Sequence, residues 1–223
     1  SEFSFFRYRI IVELEYFRSL CKLNLKQINL ESVEFIDIIL NNYDENSYKK
    51  IKEYETEIKH DVKAIEYYLR YEFSNLGVSK YNSFIHFGLT SQDINNTAYS
   101  LSLKHCIENL YIPELNKIID CLSVFSKEWN NITMISRTHG QAAVPTTFGK
   151  EFNVFKYRLN NQLEILNNVQ YYGKFGGASG NLNAHKCAYP NIDWIQFGKT
   201  FIESLGLKRS EYTTQIDNYD NLS

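Results

Sequence analysis

Helical periodicity of the apolar residues is the feature that most restricts how this chain of 223 residues can fold. The clearest stretch is an apolar stripe whose members recur every three or four residues: Phe148, Phe152, Phe155, Leu159, Leu163 and Leu166. That spacing places these side chains on one face of an α-helix. Because such a face must be buried against another element, the stripe predicts long helices that pack together.

Other parts of the chain repeat this period, and strict alternation of apolar and polar residues is scarce. Stripes of the same period cover three more stretches: Ile10 to Cys21, Ile51 to Leu69 and Leu115 to Trp129. Another helix is expected to start at Thr90 or Ser91, and Pro113 should interrupt or bend it because proline lacks an N–H. A last helix is expected over about residues 191–205, ending at Gly206. The predicted fold class is all-α.

A change in composition near residues 80 to 90 predicts a domain boundary. We expect a smaller helical N-terminal domain over residues 1–89, followed by a long-helix bundle domain over residues 90–223. The glycine-rich segment from Gly173 to Asn181 lacks the Gly-Lys-Ser/Thr ending of a phosphate-binding loop, and no βαβ pattern surrounds it. It is interpreted as a flexible connector.

Composition excludes several classes of protein. The net charge is −2 and the sequence contains no block of basic residues, which disfavours a nucleic-acid partner. No apolar run approaches the roughly 20 residues that span a bilayer, and no leader opens the chain, so we expect no membrane partner and a cytoplasmic location. The four cysteines lack metal-ligand spacing and are expected to be reduced thiols, so neither a metal nor a cofactor is predicted.

The segment Ser136-Arg137-Thr138-His139-Gly140-Gln141 leads through Pro145 to Lys150 into the most periodic helix. A loop at a helix N-terminus offers free N–H groups and a partial positive charge, which suits an anionic ligand. His139 adds a group that can exchange a proton near neutral pH. The alternative is a surface loop whose histidine only caps a helix.

A second candidate segment runs from His86 to Asn96. Thr90 or Ser91 is a good N-cap residue, and Thr90 with Asp93 matches a short capping box. Capping alone would explain these residues. The functional alternative is that the two hydroxyl groups and the free N–H groups form a pocket for a carboxylate.

The pair His60-Asp61 falls inside the second predicted helix. A step of roughly 100° per residue turns His60 away from the apolar face that contains Ile58. A solvated histidine is the ordinary interpretation, and a residue lining a cleft is the alternative.

These segments together resemble one family. Ser136 to Lys150 is similar to the second signature region of the fumarase/aspartase superfamily, and in particular of its adenylosuccinate lyase branch. Four other segments resemble that branch in the same order: His60 to Ala64, His86 to Asn96, Gly176 to His185 and Tyr212 to Ile216. In the argininosuccinate lyase branch, Leu-Gln typically follows the motif histidine, where this chain has Gly140-Gln141.

The resemblance implies a β-elimination that releases fumarate from adenylosuccinate and gives AMP. It also implies the same cleavage of the succinylated aminoimidazole-carboxamide ribotide of purine nucleotide biosynthesis. By similarity His139 is the general acid, and His60 assists as a second catalytic residue. The remaining site residues would bind substrate, with Thr90 and Ser91 holding a succinyl carboxylate: Asp61, His86, Thr90, Ser91, Gln92, Thr138 and Gln215.

The resemblance further implies a homotetramer whose active sites are shared between subunits. The family's serine loop, which carries the general base, has no counterpart in these residues, so the 223 residues alone are expected to be inactive. Two alternatives stay open: a non-catalytic helical scaffold fragment, and a sister lyase such as argininosuccinate lyase.

Overall fold

The computed structural model describes residues 1–23, 25–28 and 33–220, so the last three residues of the predicted second domain lie outside the described residues. The α-helices are α1 Glu2–Cys21, α2 Glu34–Asn41, α3 Glu45–Ile58, α4 Asp61–Asn75, α5 Ser91–Cys106, α6 Ile112–Glu128, α7 Phe148–Asn167, α8 Asn183–Ala188 and α9 Trp194–Ser204. The strands are β1 Thr133–Thr138, β2 Gln141–Thr147, β3 Tyr172–Gly173 and β4 Lys208–Arg209. The predicted all-α class is confirmed, although these short strands were not predicted.

The chain forms two compact units. The first unit comprises Ser1–Leu103 with Gln170–Ser223, and the second comprises Lys104–Val169. The predicted domain boundary between residues 89 and 90 stays a prediction.

Helix α1 forms the centre of the first unit. Apolar residues of this helix such as Ile10, Leu14 and Phe17 are buried, as the stripe predicts. The helix packs against α2, α3, α4 and α9. Residues 9, 13 and 16 of α1 are also buried, which brings polar groups into the core.

The helix predicted over Ile51 to Leu69 consists of two helices, α3 and α4. Lys59 adopts a left-handed conformation with φ +60° and ends α3, while His60 is extended and forms the N-cap of α4. The expectation that His60 lies inside a helix is therefore wrong. Helix α4 ends at Asn75, and Gly77 after it has a φ of +72°.

The first part of the glycine-rich segment, residues 173–177, is buried in the first unit. Strand β3 pairs in parallel with β4, and the side chains of Lys174 and Phe175 that follow β3 are 0 % exposed. The interpretation of this segment as a flexible connector is wrong. Helical periodicity could not show that its polar groups form hydrogen bonds inside the fold. The predicted last helix is confirmed as α9, and Gly206 after it has a φ of +73°.

The second unit consists mainly of α6 and α7, which pack against each other. The α-helical pattern gives way to a π-helical turn at Ile107–Tyr111, which ends two residues before Pro113 and confirms the expected interruption. Helix α7 begins at Phe148 as expected, after the N-cap Thr147. Gly149 allows close packing, because a Cβ there would lie 2.3 Å from the backbone oxygen of Ser126.

Candidate active site

The turn before α5 is held by a capping interaction. The backbone N–H of Thr90 donates to Oδ2 of Asp93 at 2.8 Å, and the N–H of Asp93 donates to the carbonyl of Thr90 at 2.9 Å. The predicted capping role of Asp93 is confirmed. The arrangement places the hydroxyl-bearing residues Thr90 and Ser91 at the N-terminus of a 16-residue helix.

Asp93 also joins this turn to the glycine-rich segment. Nζ of Lys174 lies 2.8 Å from Oδ1 of Asp93, and the N–H groups of Gly176 and Gly177 donate to the same carboxylate at 2.9 and 3.0 Å. Both charged side chains are buried. The cation and the N–H groups thus compensate the charge of the buried carboxylate.

His60 contacts Ser91. The backbone N–H of Lys63 donates to Nδ1 of His60 at 3.2 Å, so the neutral imidazole has its proton on Nε2. Nε2 lies 3.4 Å from Oγ of Ser91. With His60 as the donor in this long contact, the hydroxyl hydrogen of Ser91 is available to a ligand oxygen.

Asp61 belongs to a charged network on the same side of α4 and α5. A guanidinium nitrogen of Arg9 lies 2.6 Å from Oδ2 of Asp61, and Nε of Arg9 donates to Oδ1 of Asn95 at 2.8 Å. Burial lowers the pKa of Arg9, although the carboxylate of Asp61 opposes that shift. Arg9 of α1 thus links Asp61 of α4 to Asn95 of α5.

His86 forms an ion pair with a residue of α1. Its Nδ1 lies 2.5 Å from Oε1 of Glu13, whose side chain is 0 % exposed. Burial by itself would lower the pKa of His86, but nearby carboxylates raise it, most strongly Glu13 through its charge and its hydrogen bond. His86 has a φ of +57°, which is uncommon for a residue with a Cβ.

The other two candidates of the first unit lie further along its surface. The hydroxyl of Tyr219 donates to Oε1 of Gln92 at 3.4 Å. Gln215 is exposed in the segment after β4. The structure thus joins Gln92 to the C-terminal segment and leaves Gln215 open to solvent.

Thr138 and His139 belong to the second unit, where they lie in a β-hairpin. Strands β1 and β2 pair antiparallel, with Thr138 opposite Gln141, so His139 and Gly140 form the two-residue turn. Their φ values of +51° and +76° are those of a tight hairpin turn, for which glycine is well suited. His139 is exposed at the tip.

This placement corrects two expectations for His139. The residue does not lie in a loop at a helix N-terminus, because all of β2 separates it from α7. Nor does it cap a helix, since the hydroxyl of Thr147 accepts the N–H of Lys150 in the cap of α7. The hairpin turn instead leaves the imidazole of His139 exposed to solvent.

Among the described residues, no group of three or more His, Cys, Asp and Glu side chains could hold a metal ion. None of the helices in the described part of the chain is both long and apolar enough to cross a membrane.

The fold and these residues define an all-α protein whose candidate site combines hydroxyl groups at a helix N-terminus with histidines. A profile of the family described as lyase matches residues 2–223. The chain belongs to this lyase family.

Several relatives are similar over the whole chain. The adenylosuccinate lyase of Dictyostelium discoideum is 46 % identical over 100 % of this chain and 50 % of its own length. Those of Haemophilus influenzae (strain ATCC 51907 / DSM 11121 / KW20 / Rd) and Escherichia coli (strain K12) are 40 % and 36 % identical, each over 100 % of this chain and 50 % of their own length. The chain spans about half the length of these relatives.

Two solved structures share the fold. A fumarate lyase from Mesorhizobium sp. BNC1 matches with a TM-score of 0.77 and 19 % identity, over 96 % of this chain and 48 % of that one. A 3-carboxy-cis,cis-muconate lactonizing enzyme from Pseudomonas putida matches with a TM-score of 0.75 and 22 % identity, over 95 % and 46 %.

Three residues that position the site were not predicted from the sequence. Arg9 and Glu13 had a detectable signal, because charged residues four positions apart lie directly beside the apolar stripe of α1. Lys174 had none, since its partner Asp93 is 81 residues away in the sequence.

Proposed function

We propose that the chain is part of an adenylosuccinate lyase, which cleaves adenylosuccinate into AMP and fumarate and acts likewise on the succinylated aminoimidazole-carboxamide ribotide. The observation that carries the proposal is the contact between His60 and Ser91 at the N-terminus of α5. The names of the relatives support the same assignment. In this account the protein works in purine nucleotide biosynthesis.

The anion is bound at the start of α5. Free N–H groups and the helix dipole favour a negative charge there by about 0.3–1 kcal/mol at an exposed site. The hydroxyl groups of Thr90 and Ser91 donate to one succinyl carboxylate, and His60 fixes the orientation of Ser91. Thr138, Gln92 and Gln215 contribute further contacts to the substrate, and Asp61 holds its side of the site through Arg9.

The reaction is a proton abstraction coupled to C–N cleavage. A base takes a proton from the carbon next to a succinyl carboxylate, those electrons form the C=C bond of fumarate, and the C–N pair leaves with the purine nitrogen. His139, as an imidazolium, gives its proton to that nitrogen and AMP is released. The resemblance assigns the base to a serine loop that these 223 residues do not contain, so the isolated chain is predicted to be inactive.

We assign the apolar surface of the second unit to a homotetramer with shared active sites. Large apolar side chains of this unit are between 38 % and 68 % exposed, among them Leu110, Ile118, Val124, Phe155, Tyr157 and Ile165. Exposure of so many apolar groups in one unit marks a surface made for association. Sedimentation of the complete protein should give four subunits, and a monomer would contradict the assignment.

A cytoplasmic location completes the proposal. The cysteines Cys21, Cys106, Cys121 and Cys187 are free thiols, which suits a reducing compartment.

The test is substrate specificity in the complete protein. The absorbance of succinylated purine should change as fumarate appears, whereas argininosuccinate should not be cleaved. Cleavage of argininosuccinate would identify the sister lyase, and cleavage of neither compound would identify a scaffold. Fumarate release by the isolated 223 residues would overturn the assignment of the base.

A further inference from the structure

Two residues of α1 hold the turn that leads to α5. Glu13 pairs with His86, and the hydroxyl of Tyr16 donates to the carbonyl of Phe87 at 2.6 Å. Glu13 and Tyr16 are three residues apart and lie on the same face of the helix. These contacts keep His86 in its left-handed conformation, with φ +57°, four residues before Thr90.

The environment of Glu13 sets the protonation of His86. Oε2 of Glu13 is buried and has no hydrogen-bond partner among the described residues, so the imidazole is the partner of this carboxylate. A buried carboxylate without a cation would be strongly destabilised. Glu13 therefore keeps a proton on Nδ1 of His86 and favours the imidazolium.

Other carboxylates that face His86 have cations of their own. Glu66 of α4 pairs with Lys63 at 2.7 Å and lies 3.6 Å from a guanidinium nitrogen of Arg70, and Asp93 of α5 pairs with Lys174. Both raise the pKa of His86 less than Glu13 does. Glu13 is thus the carboxylate that most favours the charged form of His86.

The second ring nitrogen of His86 is available to a ligand. The side chain is 13 % exposed, and the ring's hydrogen bond to Glu13 is made by Nδ1. A charged imidazole fixed through Nδ1 presents Nε2–H as a directed, charge-assisted donor, which suits a carboxylate or phosphate oxygen.

We propose that Glu13 is a positioning residue that keeps His86 doubly protonated, so that Nε2–H donates to an anionic group of the substrate. The proposal deepens the proposed function and rests on it for the identity of the substrate. Glu13 itself touches no substrate and acts through His86.

The charge of His86 is tested by the pH dependence of hydrogen–deuterium exchange at the C2 position of each histidine, read by mass spectrometry. In the wild type the pKa of His86 should lie above 6.5. Glu13→Gln leaves burial as the main influence, so the pKa should fall below 6.5, whereas Glu15→Gln, two positions along α1 and paired with Arg18, should leave it unchanged. A wild-type pKa of His86 at or below 6.5 would overturn the proposal, and so would an unchanged pKa of His86 in Glu13→Gln. The wild-type measurement tests the proposal even if the variant fails to fold.

Kinetics of the complete protein test the role in binding. In Glu13→Gln the alkaline limb of the pH profile of kcat/KM should move to lower pH, with KM raised at pH 8 and kcat changed less, because less of His86 then carries the second proton. Glu13→Asp keeps the charge and should restore the wild-type limb. An alkaline limb that does not move in Glu13→Gln would overturn the proposal.

Product inhibition identifies the anionic group. Weaker inhibition by fumarate in Glu13→Gln assigns His86 to a carboxylate, and weaker inhibition by AMP assigns it to the phosphate. Unchanged inhibition by both would overturn the proposal. A wild type that does not cleave adenylosuccinate would refute the proposed function alone, because the exchange experiment still reads the pairing of Glu13 with His86.

Discussion

Lys174 and Asp93 form a buried ion pair, with 2.8 Å between Nζ and Oδ1 and side chains that are 0 % and 2 % exposed. Asp93 also accepts the N–H groups of Thr90, Gly176 and Gly177. The pair is therefore the junction between the turn before α5 and the glycine-rich segment. Its partners are too far apart in the sequence to be paired by inspection.

Breaking this pair should destabilise the protein strongly. Lys174→Met leaves the carboxylate of Asp93 buried without its cation, at a cost of about 3–5 kcal/mol. The free energy of unfolding from urea titration measures the loss. Lys199→Met is the matched control, because Lys199 and Glu203 are an exposed pair 4.0 Å apart whose loss should cost less than about 1 kcal/mol. Equal losses of unfolding free energy in the two variants would contradict the role of the Lys174–Asp93 pair as this junction.

His60 has two separable roles, as an N-cap and as a partner of Ser91. His60→Asn should keep the cap of α4, whereas His60→Ala should lose about 1 kcal/mol of stability. Both variants remove the donor to Ser91, so both should release fumarate more slowly in the complete protein. Urea titration and the fumarate assay on the same preparations check this, and a fully active His60→Asn would limit His60 to capping.

Two glycines with similar backbones should respond differently to alanine. A Cβ on Gly88 would lie 2.7 Å from the ring of His185, whereas a Cβ on Gly77 would meet nothing within 4 Å. Both have φ near +70°, so both alanine variants share a strain of about 1–2 kcal/mol. Gly88→Ala should lose about 1–3 kcal/mol more because of overpacking. Equal melting temperatures for the two variants would refute this contact.

His185 should make stability depend on pH. Burial lowers its pKa to about 4, although the charge of Asp93 opposes the shift. Between pH 6.5 and 4 the unfolded chain binds a proton that the folded chain does not, so stability falls as the pH falls through this window. The depressed pKa corresponds to about 3 kcal/mol at most. Unfolding titrations at pH 7 and pH 4.5 should show a smaller loss in His185→Phe, and parallel losses in the two proteins would exclude His185 as the source.

Helix positions could be predicted because each stripe depends on neighbouring residues only. Helices α1, α7 and α9 were found where the apolar period placed them. The break at Lys59 was not predicted, since a single residue in the left-handed conformation ends a helix without changing the period. The hairpin was not predicted because its residues are mostly exposed and its apolar residues do not alternate with polar ones in the sequence.

In the candidate site, too, contacts between residues close in the sequence could be predicted and contacts between distant residues could not. The capping of α5 was predictable from Thr90 and Asp93, which are three residues apart. The contacts of Arg9, Glu13 and Lys174 join residues separated by 52 to 86 positions, and periodicity does not reveal such pairs.

The most direct test of the account is the rate of fumarate release by the complete protein with His139 replaced. His139→Asn suits this test because asparagine tolerates the positive φ of the hairpin turn but lacks an acid. We expect this variant to cleave adenylosuccinate at least about 100-fold more slowly than the wild type. A rate close to that of the wild type would contradict the assignment of His139 as the general acid.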